Sequence, residues 1–278
     1  MRKNRNRYFF IIMLTIILSI SRLTFTFADE KNIFIKLDAI NNHLNLNSIL
    51  SILNTPSIRD IVIKEDLTEK LKKSVAKTEK YAYITFDDGL DNKITPKVLD
   101  VLKENDIKAT FFIIGNTIKK NSDLLNRIVE EGHSIGNHTY SHKKEILYTS
   151  ISNFKKELEE TASYIYEVTG QQVKLFRPPY GSSVIKKKEY VEALSNYKVV
   201  MWNIDSMDSR TKNITSQQIA DNVISSLKNK KNAIILFHIG KSKENTLKAL
   251  PDVIKYLKDN DFSIKAIDEN TILKYEYK

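Results

Sequence analysis

Residues 81–89 read Tyr81-Ala82-Tyr83-Ile84-Thr85-Phe86-Asp87-Asp88-Gly89, an apolar run that ends abruptly in two carboxylates. The run from Tyr81 to Phe86 has the aromatic and β-branched composition of a strand. Six residues past Gly89, Thr95 and Pro96 open a helix over Pro96–Asn105, with Thr95 as N-cap and Pro96 as its first helical residue. The same alternation continues outward. Strands are expected at Ala109–Ile114, ending near Asn137, at Val173–Phe176, Val199–Ile204, Ala233–Phe237 and Ser263–Ile267. Helices are expected at Asp123–Glu131, Ile151–Val168 (stopped by Gly170), near Lys186–Ser195, at Ser216–Leu227, and at Asn245–Lys258 with Pro251 as a kink. Strand followed by helix, about seven times over, predicts an α/β fold with a parallel sheet.

The polar residues indicate how that sheet closes. Asp87-Asp88, His138, Arg177, Asp205 and His238 each fall at the carboxyl end of a different strand. Groups spread over so many strands meet only if the strand ends form a ring, as at the mouth of a (β/α) barrel. An open sheet would gather them at one switch point. No Gly-x-Gly-x-x-Gly and no phosphate-binding loop is present, which weakens a nucleotide-binding reading.

The chain has five histidines, and two of them stand in His138-Thr139-Tyr140-Ser141-His142. One aspartate and two histidines are a common ligand set for a divalent metal. Nitrogen and carboxylate donors suit Zn²⁺, and accept Co²⁺, Ni²⁺ or Mn²⁺ as well. The second aspartate is then left over as a free carboxylate beside the ion, which is the core of a hydrolase. Each piece alone has a plainer explanation. An Asp-Asp pair after a strand caps turns. Arg177 pairs with a surface acid, Asp205 or Asp208 caps a loop, and His238, Tyr180 and Trp202 fill a core. His133 is read as a structural residue at a strand entry.

Composition bounds the setting. At 278 residues, 41% of them hydrophobic, the chain holds one large domain with extra length or two small ones. Arg2, Lys3, Arg5, Arg7 and Arg22 stand in a first 28 residues that lack acids, so half of the formal net charge of +10 lies there. The remaining excess of five basic residues is a mild bias, and no basic-aromatic interleaving points to nucleic acid. The apolar run Tyr8–Ile20 follows the first basic cluster and is shorter than the ~20 residues of a membrane span. Thr26-Phe27-Ala28 offers small residues where a signal peptidase reads, so residues 1–28 are expected to be a cleaved secretory signal, or an anchor if retained. Zero cysteines exclude disulfides. Residues 29–80 are expected to be a spacer or small appendage, with a strand at Asn32–Ile35, a helix at Leu44–Leu53 and a charged linker at Lys70–Lys80. Residues 81–278 form the main domain. Oligomeric state is not legible.

Five ordered motifs carry a family resemblance: Thr85-Phe86-Asp87-Asp88-Gly89, His138-x-x-x-His142, Arg177-Pro178-Pro179-Tyr180-Gly181, Trp202-Asn203-Ile204-Asp205-Ser206-Met207-Asp208 and Leu236-Phe237-His238. Together they resemble the polysaccharide deacetylases, the carbohydrate esterase family 4 or NodB-homology domain, over about residues 81–270. The resemblance implies a distorted, incomplete (β/α)7-8 barrel. It implies Asp88, His138 and His142 as metal ligands, Asp87 as general base, and Arg177 as the partner that orients Asp87. It also implies the Tyr180 backbone N–H as oxyanion donor, and His238 as general acid with Asp205 raising its pKa. Leu236 would line the acetyl pocket, with Pro179, Tyr180 and Trp202 at the substrate. Leu90, Ser209 and Ile239 depart from the family's usual Pro, Trp and Asp.

The implied activity is hydrolysis of N-acetyl groups from a cell-envelope polysaccharide, with peptidoglycan N-acetylglucosamine as first substrate, on the outer side of a bacterial membrane. N-acetylmuramic acid, a chitin-like exopolysaccharide and O-acetyl xylan are alternatives. A non-catalytic carbohydrate-binding protein on the same fold, and an interaction module acting through residues 29–80, are the rivals from other classes.

Overall fold

The computed structural model describes residues 24–29, 32–36, 80–181, 185–210 and 212–273. They fall in two compact units, Met1–Val75 and Ala76–Lys278. In the first unit, β1 (Thr24–Asp29) pairs antiparallel with β2 (Asn32–Lys36), Phe27 opposite Ile33. The expected strand at Asn32–Ile35 falls within β2. The basic and apolar parts of the leader, the helix expected at Leu44–Leu53 and all of the expected linker but Lys80 lie outside the described residues.

In the second unit the strands are β3 (Tyr81–Asp88), β4 (Thr110–Ile113), β5 (Ser134–Asn137), β6 (Leu175–Phe176), β7 (Lys198–Val199), β8 (Ile204–Asp205), β9 (Asn232–Ile239) and β10 (Ser263–Ile264). The helices are α1 (Thr95–Glu104), α2 (Ser122–Glu130), the short α3 (Lys144–Leu147), α4 (Ile151–Thr169), α5 (Lys188–Ala193), α6 (Ser216–Leu227) and α7 (Glu244–Asp259). A 3-10 turn over Gly115–Lys120 precedes α2. No described helix is long and apolar enough to cross a membrane.

All pairings in this sheet are parallel, in the order β7-β6-β5-β4-β3-β9-β8. β10 takes the first two residues of β3, on the edge that β4 takes from Thr85 to Asp88. β3 and β9 are central and run together for eight residues, Tyr81 opposite Asn232 and Asp87 opposite His238. Their side chains alternate between two faces, as a pleated strand requires. Ala82, Ile84 and Phe86, with Ala233, Ile235 and Phe237, pack outward against the helices. Tyr83 and Ile234 point into the barrel with Phe112, Leu175, Val200 and Ile267. Asp87 and His238 lie on that inner face, at its carboxyl end.

The barrel is incomplete. The edge strands β7 and β8 do not pair with each other, and the strand expected over Val199–Ile204 is instead two. The Val200 N–H still bonds β6 (Phe176 O, 2.8 Å), but by Asn203 the backbone has joined β9 (Ile234 O, 3.1 Å). Met201 and Trp202 therefore cross the gap. Arg177 stands behind them, with Nε donating to the Val200 carbonyl (3.0 Å) and Nη2 to that of Met201 (3.3 Å). A side chain closes the seam where a ladder would otherwise run. The helix after β3 also differs from expectation. α1 begins at Thr95 with Ile94 as an N-cap that makes no side-chain capping bond. Asp91 turns the chain instead, its Oδ1 accepting from the N–H groups of Lys93 (2.9 Å) and Ile94 (2.8 Å).

Candidate active site

Asp87 and Asp88 share a strand end but not an environment. Asp87 is 3% exposed, and its Oδ1 accepts from Arg177 Nη1 at 2.7 Å. Arg177 is fully buried, with Nη1 also donating to Thr85 Oγ1 (2.7 Å) and the guanidinium lying 4.2 Å from the Phe112 ring centroid. A buried cation with carbonyl and carboxylate partners is fixed in place, and so is the carboxylate it holds. Asp88 takes φ 88°, which turns it out of the strand's alternation.

The two loop histidines approach from β5. His138 Nδ1 lies 2.7 Å from the Arg177 carbonyl, which only accepts, so this nitrogen carries the proton and Nε2 is left as a lone pair. That Nε2 is 3.8 Å from Asp87 Oδ2 and 4.0 Å from Asp88 Oδ1, while His142 Nε2 is 3.7 Å from Asp88 Oδ1. One ligand atom each from Asp88, His138 and His142 lies within 4.8 Å of the others. Nε2 of His138 is preset as a ligand atom, and burial lowers the pKa of His142, favouring its neutral, ligating form. Two imidazoles and a carboxylate at such separations fit a divalent ion of the zinc type.

Across the inner face, His238 Nδ1 contacts Asp208 Oδ1 at 2.7 Å. Asp208 Oδ2 also accepts from the His238 N–H and from Thr246 Oγ1, both at 2.8 Å. Burial pulls the His238 pKa down, but the hydrogen bond and charge of Asp208 outweigh it and raise it above its ordinary value. Burial likewise pushes Asp208 up, and His238 outweighs that, holding the carboxyl low. Here the expectation for Asp205 is corrected. Its Oδ1 accepts from the Met207 N–H (2.8 Å) and its Oδ2 from Arg210 Nε (2.9 Å), so it caps the turn after β8. Met207 then adopts φ 64°, which reverses the chain and aims Asp208 inward at His238. The two acids sit three residues apart in one motif, and a strand-end rule picks the first.

The remaining expected residues surround this centre. Tyr180 has φ 63° in a tight turn closed by Gly181 N–H to the Pro178 carbonyl (3.4 Å). The residue is 57% exposed, its hydroxyl donates to the His142 carbonyl (2.7 Å) and its ring lies 4.8 Å from that of His142. Pro179 is buried, its carbonyl accepting from Tyr148 (2.9 Å). Trp202 is half-buried, 5.6 Å from the Arg177 guanidinium, and Leu236 is buried in the sheet at the level of Thr85 and Asp205. Ser209 Oγ stands 3.4 Å from His238 Nε2. A cavity of about 340 Å³ opens from Asp88 and His142 toward Leu90, Ile239 and Lys243. His133 stays apart, buried against the Ala109 N–H (3.1 Å), and burial pushes its pKa down to about 4. Asp88, Thr139, His142, Tyr180 and Met207 all hold left-handed backbone without being glycine. Strain of this kind persists only where surroundings over-determine it.

Comparison with known proteins follows the same lines. The family described as Polysaccharide deacetylase matches residues 74–202. A peptidoglycan-N-acetylglucosamine deacetylase of Bacillus cereus is 34% identical over 203 residues, 70% of this chain and 72% of that protein. A peptidoglycan-N-acetylmuramic acid deacetylase of Bacillus subtilis is 35% identical over 196 residues, 69% of this chain and 71% of that protein. The crystal structure of a polysaccharide deacetylase from Bacillus cereus superposes with a TM-score of 0.65 at 34% identity, covering 71% of this chain and 97% of that one.

Proposed function

The chain belongs to the polysaccharide deacetylase family, and on that premise we propose that it removes N-acetyl groups from peptidoglycan N-acetylglucosamine by metal-assisted hydrolysis. The observation that carries the reading is the pairing of Asp87 with Arg177 beside the Asp88-His138-His142 cluster, facing a His238 held by Asp208. An amide needs help on both sides: its carbonyl is a poor electrophile and its amine a poor leaving group.

With a divalent ion, Zn²⁺ first, held by Asp88, His138 and His142, the site gains Lewis-acid polarisation of the carbonyl and a more acidic water. Asp87 takes the proton of the attacking water. Arg177 occupies its Oδ1 and orients the carboxylate, leaving Oδ2 toward His138. The Tyr180 backbone N–H serves the oxyanion, a contribution of roughly 3–4 kcal/mol where such donors have been removed. His238, protonated through Asp208, donates to the departing amine. Leu236 lines the acetyl site, and Pro179, Tyr180 and Trp202 form the wall against the sugar. The seat of the reaction is residues 81–278, delivered across the membrane by residues 1–28 and carried on residues 29–80 as a spacer.

The sugar follows the Bacillus cereus relative. The Bacillus subtilis relative has similar identity and supports N-acetylmuramic acid as the second reading. Acetate release from purified peptidoglycan, with Zn²⁺ or Co²⁺ added and the deacetylated sugar identified after digestion, tests both. Release from glucosamine residues that is lost in Asp87→Asn supports the proposal, whereas release from muramic residues replaces the substrate. No release from any acetylated glycan overturns it.

A further inference from the structure

α4 carries its buried residues at Phe154, Glu157, Leu158, Thr161 and Ile165, a single stripe at helical spacing. One of them is a carboxylate. Glu157 is 6% exposed, and its Oε2 accepts from two consecutive backbone N–H groups, Tyr140 (2.9 Å) and Ser141 (2.6 Å). Those two residues lie between the ligand histidines. On the loop's other side, the N–H groups of Gly115 and Asn116 donate to the carbonyls of Thr139 (2.9 Å) and Tyr140 (3.0 Å). A Cβ on Gly115 would meet Thr161 Oγ1 at 2.4 Å and Tyr140 Cδ2 at 2.8 Å, so helix, turn and loop converge with no room between them. Asn137 Oδ1 takes the Thr139 N–H at 2.8 Å.

We infer that Glu157 is a positioning residue for the metal-ligand loop. Thr139 (φ 67°) and His142 (φ 54°) hold backbone that a β-branched and a bulky residue ordinarily avoid. A loop in that state relaxes unless its amides are tied, and relaxation moves His142 away from Asp88. A buried carboxylate accepting two amides is a strong, charge-assisted anchor. Glu157 thus presets the spacing of His138 and His142 without touching either ring.

The inference rests on the metal reading above, and its test separates the two. The full-length wild type and variants, stripped of metal, are titrated with Co²⁺, recording affinity and the visible absorption of the bound ion. Glu157→Ala is expected to weaken Co²⁺ binding about tenfold or more, as loss of an outer-shell support does, and to alter the absorption band. Glu157→Gln keeps an acceptor oxygen and is expected to stay within about threefold of wild type on the same scale. Ile165→Ala, on the same buried stripe but away from the loop, controls for lost stability. Wild-type affinity in Glu157→Ala, equal loss in Glu157→Gln, or equal loss in Ile165→Ala overturns the inference. If Glu157→Ala fails to fold, Glu157→Asp, which retains charge but loses reach, takes its place with the same expected weakening, and unchanged affinity there overturns it. A wild type that binds no Co²⁺ removes the metal reading instead.

Discussion

Asp87 and Asp88 are chemically identical neighbours, and the backbone separates their tasks. Asp87 continues the inward alternation of β3 and meets Arg177, while φ 88° at Asp88 turns it toward the histidines. Asp87→Asn keeps the shape and removes the base of the proposed mechanism, so acetate release is expected to fall by roughly 10²–10⁴, with Co²⁺ affinity close to wild type. An equal collapse of metal binding would place Asp87 among the ligands. In the proposed mechanism Asp208 supports protonation of the departing amine, through its contact with His238. His238 has a raised folded pKa, so its pairing stabilises the fold below its unfolded value and is lost as pH rises through the folded value. Asp208 has a lowered one, so its share is present above the ordinary carboxylate range and is lost as pH falls through the folded value. Asp208→Asn removes the largest opposition to burial at His238, leaving only the weaker pull of Asp87 and Asp88, and the alkaline limb of the pH–rate profile is expected to move to lower pH. An unmoved limb would assign the acid elsewhere. At this scale the motifs made Asp87, Asp88, His138, His142, Arg177 and His238 legible as residues. The choice between Asp205 and Asp208 was not, because it depends on the reversal at Met207, and a left-handed methionine leaves no sequence signal.

At the scale of elements, local rules worked where a terminus is decided by its own residues. Gly170 ends α4 at φ 68°, and Thr215 opens α6 with a capping box to Gln218. Thr215→Ala is expected to lower stability by about 1 kcal/mol, read in urea denaturation, with activity intact. They failed at Thr95, where the helix start is set by the Asp91 turn. They failed also at Val199–Ile204, where a run apolar but for Asn203 leaves one sheet edge and joins the other. Packing between elements carries a sharper prediction. A Cβ on Gly136 of β5 would sit 2.4 Å from Phe112 Cδ1, and Phe112 lies under Arg177. Gly136→Ala is therefore expected to cost roughly 1–3 kcal/mol from overpacking, and to lower turnover as the displaced ring disturbs the partner of Asp87. Stability lost with turnover unchanged would show that the ring yields without moving Arg177.

For the molecule as a whole, the barrel brings residues from β3, β5, β6, β8 and β9 to one rim, and an ion held by Asp88, His138 and His142 would link the end of β3 to the loop after β5. Any ligand that binds only the folded state raises its melting point in proportion to ln(1 + [L]/Kd). Zn²⁺ is accordingly expected to raise the melting temperature and a chelator to lower it, with Asp88→Asn insensitive to both. A shift retained in Asp88→Asn would put the ion at another site.

The sequence by itself determined the order of strands and helices, the parallel sheet and the residues at strand ends, because periodicity and caps are local and five motifs in order are specific. Tertiary structure alone decided where the barrel stays open, since Arg177 satisfies carbonyls that no ladder reaches. It alone decided which aspartate faces His238 and which buried glutamate holds the histidine loop. Both depend on contacts between segments far apart in the chain, made through backbone conformations that residue type does not announce.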